Sequence, residues 1–325
     1  MKNYVKFASL LIFSTILIIS CTSKKSVGKK DNLENELIIF HAGSLSVPFH
    51  QLADTFMKEN PGVKLLLEGA GSTECARKIS ELKKPCDIIA SSDYTVIRDL
   101  LIPNYANWYV NFATNEMGIA YTDKSTMADK INKDNWFDVL QMKKIIYGRA
   151  NPNLDPCGYR TIFTFLLSEK YYKKSGLAVK LTKKDEGFIR PKEVDLLALL
   201  ETHTVDYIFI YKSVAIQHKL KFLSLPVEIN QSDPSFSEYY SNATTEVSGK
   251  DKNKKTLKKA EPMLYAVTII KNAPHKNAAI KFIAFLLSDN GKKIMEGNGQ
   301  PSINFVKKEY LQNVPDSIRK YVKEQ

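Results

Sequence analysis

The sequence predicts an α/β protein built from two doubly wound sheets joined by a two-strand hinge. Short apolar runs alternate with stretches of helical period, separated by turns of small residues, which is the pattern of βα units feeding a mostly parallel sheet. Two long β-rich segments, Trp108–Thr122 and Met263–Ile270, enclose a separate α/β series, as two crossings between two lobes would. The 325 residues less the 20 before Cys21 leave ample chain for two lobes.

The chain opens with two lysines, Lys2 and Lys6, ahead of an uncharged apolar run from Phe7 to Ile19. Those are the dimensions of a signal peptide, too short to span a bilayer comfortably. The run ends in Leu17-Ile18-Ile19-Ser20-Cys21, similar to a bacterial lipobox, so cleavage before Cys21 and lipidation of its thiol are expected. The next segment, 21–35, is rich in Ser, Thr, Lys, Asn and Glu and is expected to be a tether, since it has too little apolar surface to fold. Three cysteines remain, Cys75, Cys86 and Cys157, with no CxxC or Cys/His cluster for zinc; the unpaired thiols are expected to be buried.

The first lobe begins with a strand at Glu36–Phe40 and a turn His41-Ala42-Gly43-Ser44, then a helix over Val47–Glu59 that Pro61-Gly62 stops. A strand at Val63–Glu68, a turn Gly69-Ala70-Gly71-Ser72-Thr73 and a helix over Glu74–Leu82 repeat the unit. A third strand follows at Cys86–Ala90, with a turn at Ser91-Ser92-Asp93. Beyond the first crossing come a strand at Lys144–Tyr147, helices at Gly158–Lys170 and Glu193–Glu201, and strands at Asp206–Tyr211 and Phe222–Leu225. Ser241–Lys259 reads as a polar, lysine-rich loop, and Lys276–Leu287 as a well-packed last helix. The first lobe thus comprises 36–115 and 260–325, the second 116–259.

A formal charge of +12, lowered by two when Lys2 and Lys6 are removed, sits in clusters such as Lys250–Lys259. It describes a solvated surface with some long-range attraction for anions, rather than the aromatic-laced basic face that nucleic acid needs. No GxGxxG follows the first strand, and Walker, HExxH and GxSxG motifs are absent. The five histidines, His41, His50, His203, His218 and His275, show no metal-ligand spacing. Neither a catalytic residue nor a cofactor is expected.

In an open α/β sheet, ligands bind beyond the carboxyl ends of strands, where helix N-termini offer N–H groups to an anion. Gly43-Ser44-Leu45-Ser46 and Gly71-Ser72-Thr73 are two such turns with hydroxyls. Serine there is frequently an N-cap; the repetition at equivalent sheet positions favours binding. Asn151–Arg160 (NPNLDPCGYR) occupies the same kind of place in the second series. A carboxylate beside an anion is repulsive, so physics alone reads Asp155 as an N-cap and Glu193 as a carboxylate favoured by a helix dipole.

The motifs HAGSLSVPF (His41–Phe49), GAGSTECARKI (Gly69–Ile79), DIIASSDYTVI (Asp87–Ile97), GRANPNLDPCGYRT (Gly148–Thr161), RPKEVDLLALLE (Arg190–Glu201), DYIFIYKSVAIQH (Asp206–His218) and GNGQPSI (Gly297–Ile303) occur in family order. With them the chain resembles the molybdate/tungstate-binding proteins of ABC importers, particularly the archaeal-type tungstate-binding branch. The resemblance implies a two-lobed type II periplasmic-binding-protein fold with the anion in the cleft. It implies hydroxyl donors at Ser44, beside Gly43, and at Ser72, backbone donors from the Asp155-Pro156-Cys157 turn, and closure by Tyr211. It also implies that Asp155 and Glu193 approach the metal of the oxyanion itself. Molybdenum(VI) and tungsten(VI) expand their coordination toward six oxygens, whereas sulfate and phosphate do not, so the same carboxylates attract one class and repel the other. The expected partners are an ABC permease and, through Cys21, a membrane; the expected location is extracytoplasmic and the expected state a monomer. The alternatives are a sulfate or phosphate binder, and an enzyme with Cys157 as nucleophile and His41 or His203 as base.

Overall fold

A computed structural model of the protein describes residues 36–251 and 253–325. The expected signal peptide, the tether and the lipidation of Cys21 lie outside the described residues.

In chain order the strands are β1 (Glu36–Ala42), β2 (Lys64–Ala70), β3 (Ile88–Ser91), β4 (Val110–Thr114), β5 (Met117–Tyr121), β6 (Tyr147–Ala150), β7 (Ile189–Arg190), β8 (Tyr207–Tyr211), β9 (Lys221–Ser224), β10 (Thr244–Ser248), β11 (Lys255–Lys259), β12 (Leu264–Ile269), β13 (Ser302–Val306) and β14 (Lys323–Glu324). They form a seven-stranded sheet ordered β14-β13-β4-β12-β3-β1-β2 and a five-stranded sheet ordered β7-β6-β8-β5-β9. The single hairpin β10-β11 stands apart from both.

The α/β class and the two sheets agree with the sequence reading; the mostly parallel character does not. In the first sheet β1 runs parallel to β2 and β3, but β12 is antiparallel to both β3 and β4. In the second, β6 is parallel to β7 and β8, while β5 is antiparallel to β8 and β9. Apolar runs mark buried strands without marking direction, which is set by how the chain returns to the sheet.

The Trp108–Thr122 segment divides into β4 and β5, leaving only Asn115 and Glu116 to carry the chain from one sheet to the other. Its expected counterpart, Met263–Ile270, does not itself cross: β12 lies wholly in the first sheet, and the return is made by the residues just before it. There the Ala260 N–H donates to Ala243 C=O and the Met263 N–H to Gln231 C=O. The polar Ser241–Lys259 segment is also not a loop. Five cross-strand pairs, from Thr244 with Lys259 to Ser248 with Lys255, make it a hairpin. Thr and Val suit strands, and Lys255 and Lys259 project into solvent while Lys258 turns inward. The Lys144–Tyr147 strand lies further along, at Tyr147–Ala150, and the Glu193 helix begins at Asp195.

Helices cover the sheets as their periodicity requires. Ser46–Glu59 buries Phe49, Leu52, Ala53 and Phe56, and Lys276–Leu287 sets Phe282 edge-on to Phe49 and Phe56, with ring centroids 6.0 and 5.4 Å apart. This packing fixes the carboxyl end of β1, where the first candidate turn lies. Cys75, Cys86 and Cys157 are free and buried.

Candidate functional site

Four turns meet between the two sheets. Two belong to the first sheet: Gly43–Leu45, a short 3-10 turn after β1, and Gly71-Ser72, where the helix Ser72–Ser80 begins after β2. The third, after β6, holds Asp155 at the N-cap of the helix Pro156–Tyr171, with Pro156 in its first turn. The fourth places Glu193 just ahead of the helix Asp195–Glu201. Ser44, Ser72, Asp155, Cys157, Glu193 and Tyr211 are all at most 1% exposed.

The turns approach so closely that Gly71 admits no side chain and Gly43 leaves little room for one. A Cβ on Gly43 would stand 3.0 Å from Glu193 Oε2, and one on Gly71 would stand 2.4 Å from the Leu154 carbonyl oxygen. Real Cβ contacts do not reach the second distance, so Gly71 has no substitute without moving the Asp155 turn. The Glu74 N–H donates to that same Leu154 C=O at 3.1 Å.

Neither serine is an N-cap. The hydroxyl of Ser44 pairs with Tyr265 OH at 2.9 Å, and Ser72 Oγ receives the Ser92 N–H at 3.0 Å. Ser92 Oγ is 3.2 Å from Ser72 Oγ, and Tyr211 OH donates to it at 3.4 Å. Tyr211 stands at the end of β8, so this last bond joins the second sheet to the first. Hydroxyls from both sheets therefore converge, each with proton-donating capacity.

Asp155 does cap its helix: Oδ1 accepts from the Cys157 N–H at 2.8 Å. Its other oxygen, Oδ2, accepts from the Glu193 N–H at 2.9 Å. The Cys157 N–H, expected to face an anion, is thus engaged by Asp155. Glu193 Oε1 is buried with no hydrogen-bond partner. Burial pushes the Asp155 carboxyl above the usual carboxylate range. Burial pushes Glu193 well above it, the neighbouring Asp155 charge pushes it further, and the Ser44 N–H eases it only in part. Two carboxyls at one place cannot both ionise freely, so the pair favours holding a proton between them. Among the described residues no three His, Cys, Asp or Glu side chains gather as a metal-ion cage.

A second polar layer lies beside the site. Asp93, in the turn after β3, accepts from Arg160 at 3.1 Å and from Tyr159 OH at 2.7 Å, both on the helix Pro156–Tyr171. The ion pair is almost wholly buried. Arg160 also donates to Glu261 C=O at 3.0 Å. Hairpin β10-β11 spans the same gap: Arg77 donates to Gly249 C=O at 2.7 Å, Lys258 to Thr95 Oγ1 at 2.6 Å, and the Ser248 N–H to Asn153 Oδ1 at 2.9 Å.

The Cys157 nucleophile does not materialise. Its thiol is fully buried, donates toward Phe209 C=O at 3.6 Å, and burial raises its pKa well above the thiol norm. His41, pushed down to about 4 by burial, bonds its neighbour's carbonyl, Ala42 C=O, at 2.8 Å, and His203 is exposed. A reactive cysteine needs the opposite setting.

Sequence reasoning missed Ser92, Tyr265, Asn115 and the Asp93–Arg160 pair. Ser92 carried a signal, since Ser91-Ser92-Asp93 is a third small-hydroxyl turn at a strand end. Tyr265 and Asn115 carried none.

Two sheets joined through short crossings, with buried donors converging between them, define a solute-binding protein. The chain belongs to the family described as bacterial extracellular solute-binding protein, which it matches over residues 37–300. It is 42% identical to an uncharacterized solute-binding protein of Petrotoga mobilis, with 99% of this chain and 98% of that protein covered. It is 40% identical to the molybdate/tungstate-binding protein WtpA of Pyrococcus abyssi, with 98% of both covered. In fold it is similar to the periplasmic molybdate-binding protein of Azotobacter vinelandii, with a TM-score of 0.59, 17% identity, and 81% of this chain and 98% of that one covered. The sulfate-binding protein SubI of Mycobacterium tuberculosis shares the fold at a TM-score of 0.56 and 11% identity, over 82% and 86% of the two chains. No helix among the described residues is long and apolar enough to cross a membrane.

Proposed function

We propose that the protein captures tungstate or molybdate between two lobes, 36–115 with 260–325 and 116–259, and delivers it to an ABC permease. The observation that carries this is the buried Asp155–Glu193 pair, with the unpartnered Glu193 Oε1, set among the hydroxyls of Ser44, Ser72 and Tyr211. Carboxylates repel a sulfate or phosphate dianion, but they serve as oxygen ligands to a hard metal centre that expands its coordination. The relatives named for molybdate and tungstate support the same reading. The fold is shared with a sulfate-binding protein, so the fold alone does not choose the anion. The metal enters as cargo; no cofactor is invoked, and the protein is a binder rather than an enzyme.

In the bound state, Ser44 and Ser72 donate to the anion's oxygens while Asp155 and Glu193 turn their oxygens to the metal. Titration calorimetry of residues 36–325 with tungstate, molybdate, sulfate and phosphate tests the assignment. Tight binding of the first two alone is expected; comparable binding of sulfate or phosphate overturns it. Ser72→Ala is expected to weaken tungstate binding by about 1.5–3 kcal/mol, the worth of a charge-assisted hydrogen bond. The same titration reads that loss, and unchanged affinity means Ser72 does not touch the anion.

The protein acts outside the cytoplasm as a monomer held by a lipid on Cys21. Cys21→Ala should move it from the membrane fraction to the soluble fraction, and retention in the membrane would refute the anchor.

A further inference from the structure

Asn115, in the two-residue crossing between β4 and β5, has every hydrogen-bonding capacity of its amide in use. Its Oδ1 accepts the Glu116 N–H at 3.0 Å and the Ser213 N–H at 3.3 Å. Its Nδ2 donates to Ser213 Oγ at 2.7 Å and to Tyr265 OH at 3.1 Å. Two backbone N–H groups facing one atom identify that atom as the oxygen, so the direction of the bond to Tyr265 is fixed.

The next link follows from burial. Tyr265 is fully buried, accepts the Asn115 N–H, and has one proton of its own to place. Ser44 Oγ, 2.9 Å away, is positioned to take it. With a lone pair so occupied, Ser44 keeps its own proton for a partner in the site, where Gln300 holds its backbone carbonyl at 3.1 Å. Chains of this kind strengthen the terminal donor, because each bond polarises the next.

Both ends of the amide have a mechanical meaning. Ser213 lies in the first turn of the helix Lys212–Gln217 that follows β8 of the second sheet, whereas Tyr265 is on β12 of the first. Rotation at residues 115–116 that parts the sheets withdraws Ser213 and frees the amide to turn. Tyr265 then loses the donor that fixed its direction and can accept from Ser44, which withdraws the serine proton from the site.

We propose that Asn115, acting through Tyr265, is a positioning residue that fixes Ser44 as a proton donor to the bound oxyanion and ties that donor to closure. The proposal rests on the oxyanion reading above. A double-mutant cycle separates it from a merely structural role. Tungstate is titrated into the wild-type protein, Ser44→Ala, Tyr265→Phe and the double variant. Phe retains the edge-on packing of this ring on Tyr211 and Phe112, with centroids 6.1 and 6.2 Å away.

Tyr265→Phe alone is expected to weaken binding about tenfold, and by less than about twofold once Ser44 is already Ala. Additive losses, or no loss from Tyr265→Phe alone, overturn the relay. Asn115→Ala in place of Tyr265→Phe gives the same cycle one link upstream and serves should the Phe variant not fold. A wild-type protein that binds neither tungstate nor molybdate overturns the oxyanion reading itself, whereas a binding wild type with additive losses overturns the relay alone.

Discussion

Glu193→Gln is expected to cut tungstate and molybdate affinity by at least about 30-fold while making the ligand-free protein more stable. The loss is that of a buried charged partner, which is worth about 2–5 kcal/mol or more. The gain has a separate origin. Glu193 is buried beside Asp155 with its pKa raised well above 4.5, first by burial and then by that neighbour. Glutamine presents an N–H where the protonated carboxyl presents an O–H, and it never has to ionise. A raised carboxyl pKa stabilises the folded state fully below 4.5, and that contribution is lost as pH rises toward the folded-state value. The advantage of Glu193→Gln should therefore be small in acid and grow from about pH 4.5 upward, reaching on the order of 1–3 kcal/mol near neutrality. Urea denaturation across that range, with calorimetry at neutral pH, reads both effects. Unchanged affinity would remove Glu193 from the anion's contacts. A wild-type stability that rises with pH relative to the variant would mean the carboxyl pair is not destabilising.

Arg160→Met should destabilise the protein by about 3–5 kcal/mol, because it strands Asp93 as a buried, unpaired carboxylate. Burial would raise the Asp93 pKa, but Arg160 foremost, then Lys258, Thr95 and Tyr159, hold it down to about 2. A depressed carboxyl contributes stability above its unfolded value of 3.8 and loses it as pH falls toward 2. Wild-type stability should thus drop through that acid window, while Arg160→Met lacks this limb. Adding Asp93→Asn to Arg160→Met should recover much of the loss, since two neutral partners leave no stranded charge. Denaturation midpoints across pH measure all three proteins. An Arg160→Met variant as stable as wild type would show that the pair contributes nothing. The pair also spans the turn after β3 and the helix behind Cys157, so tungstate affinity should fall with stability.

Much of this was legible in the sequence, and the particular residues show why. The helix Lys276–Leu287 was placed to the residue, because its apolar positions repeat at helical spacing. The strand-end turns at Gly43-Ser44 and Gly71-Ser72 stood out because the same small-hydroxyl pattern repeats at equivalent places in the sheet. The hairpin at Thr244–Lys259 was missed, since its lysines resemble a solvated loop until the cross-strand pairing is seen. Asn115 and Tyr265 were invisible for a related reason: their partners lie 98 and 221 residues away in sequence, at Ser213 and Ser44.

The sequence by itself determined the α/β class, the strand-end turns that carry the proposed site, and the family motifs containing Asp155 and Glu193, because periodicity and local turn chemistry are short-range properties. Only the tertiary structure decided the strand directions, the contact of Glu193 with Gly43, the Asp93–Arg160 pair and the meeting of Asn115, Tyr265 and Ser44. Burial and the geometry of partners far apart in the chain set those features, and no local pattern of residues encodes either.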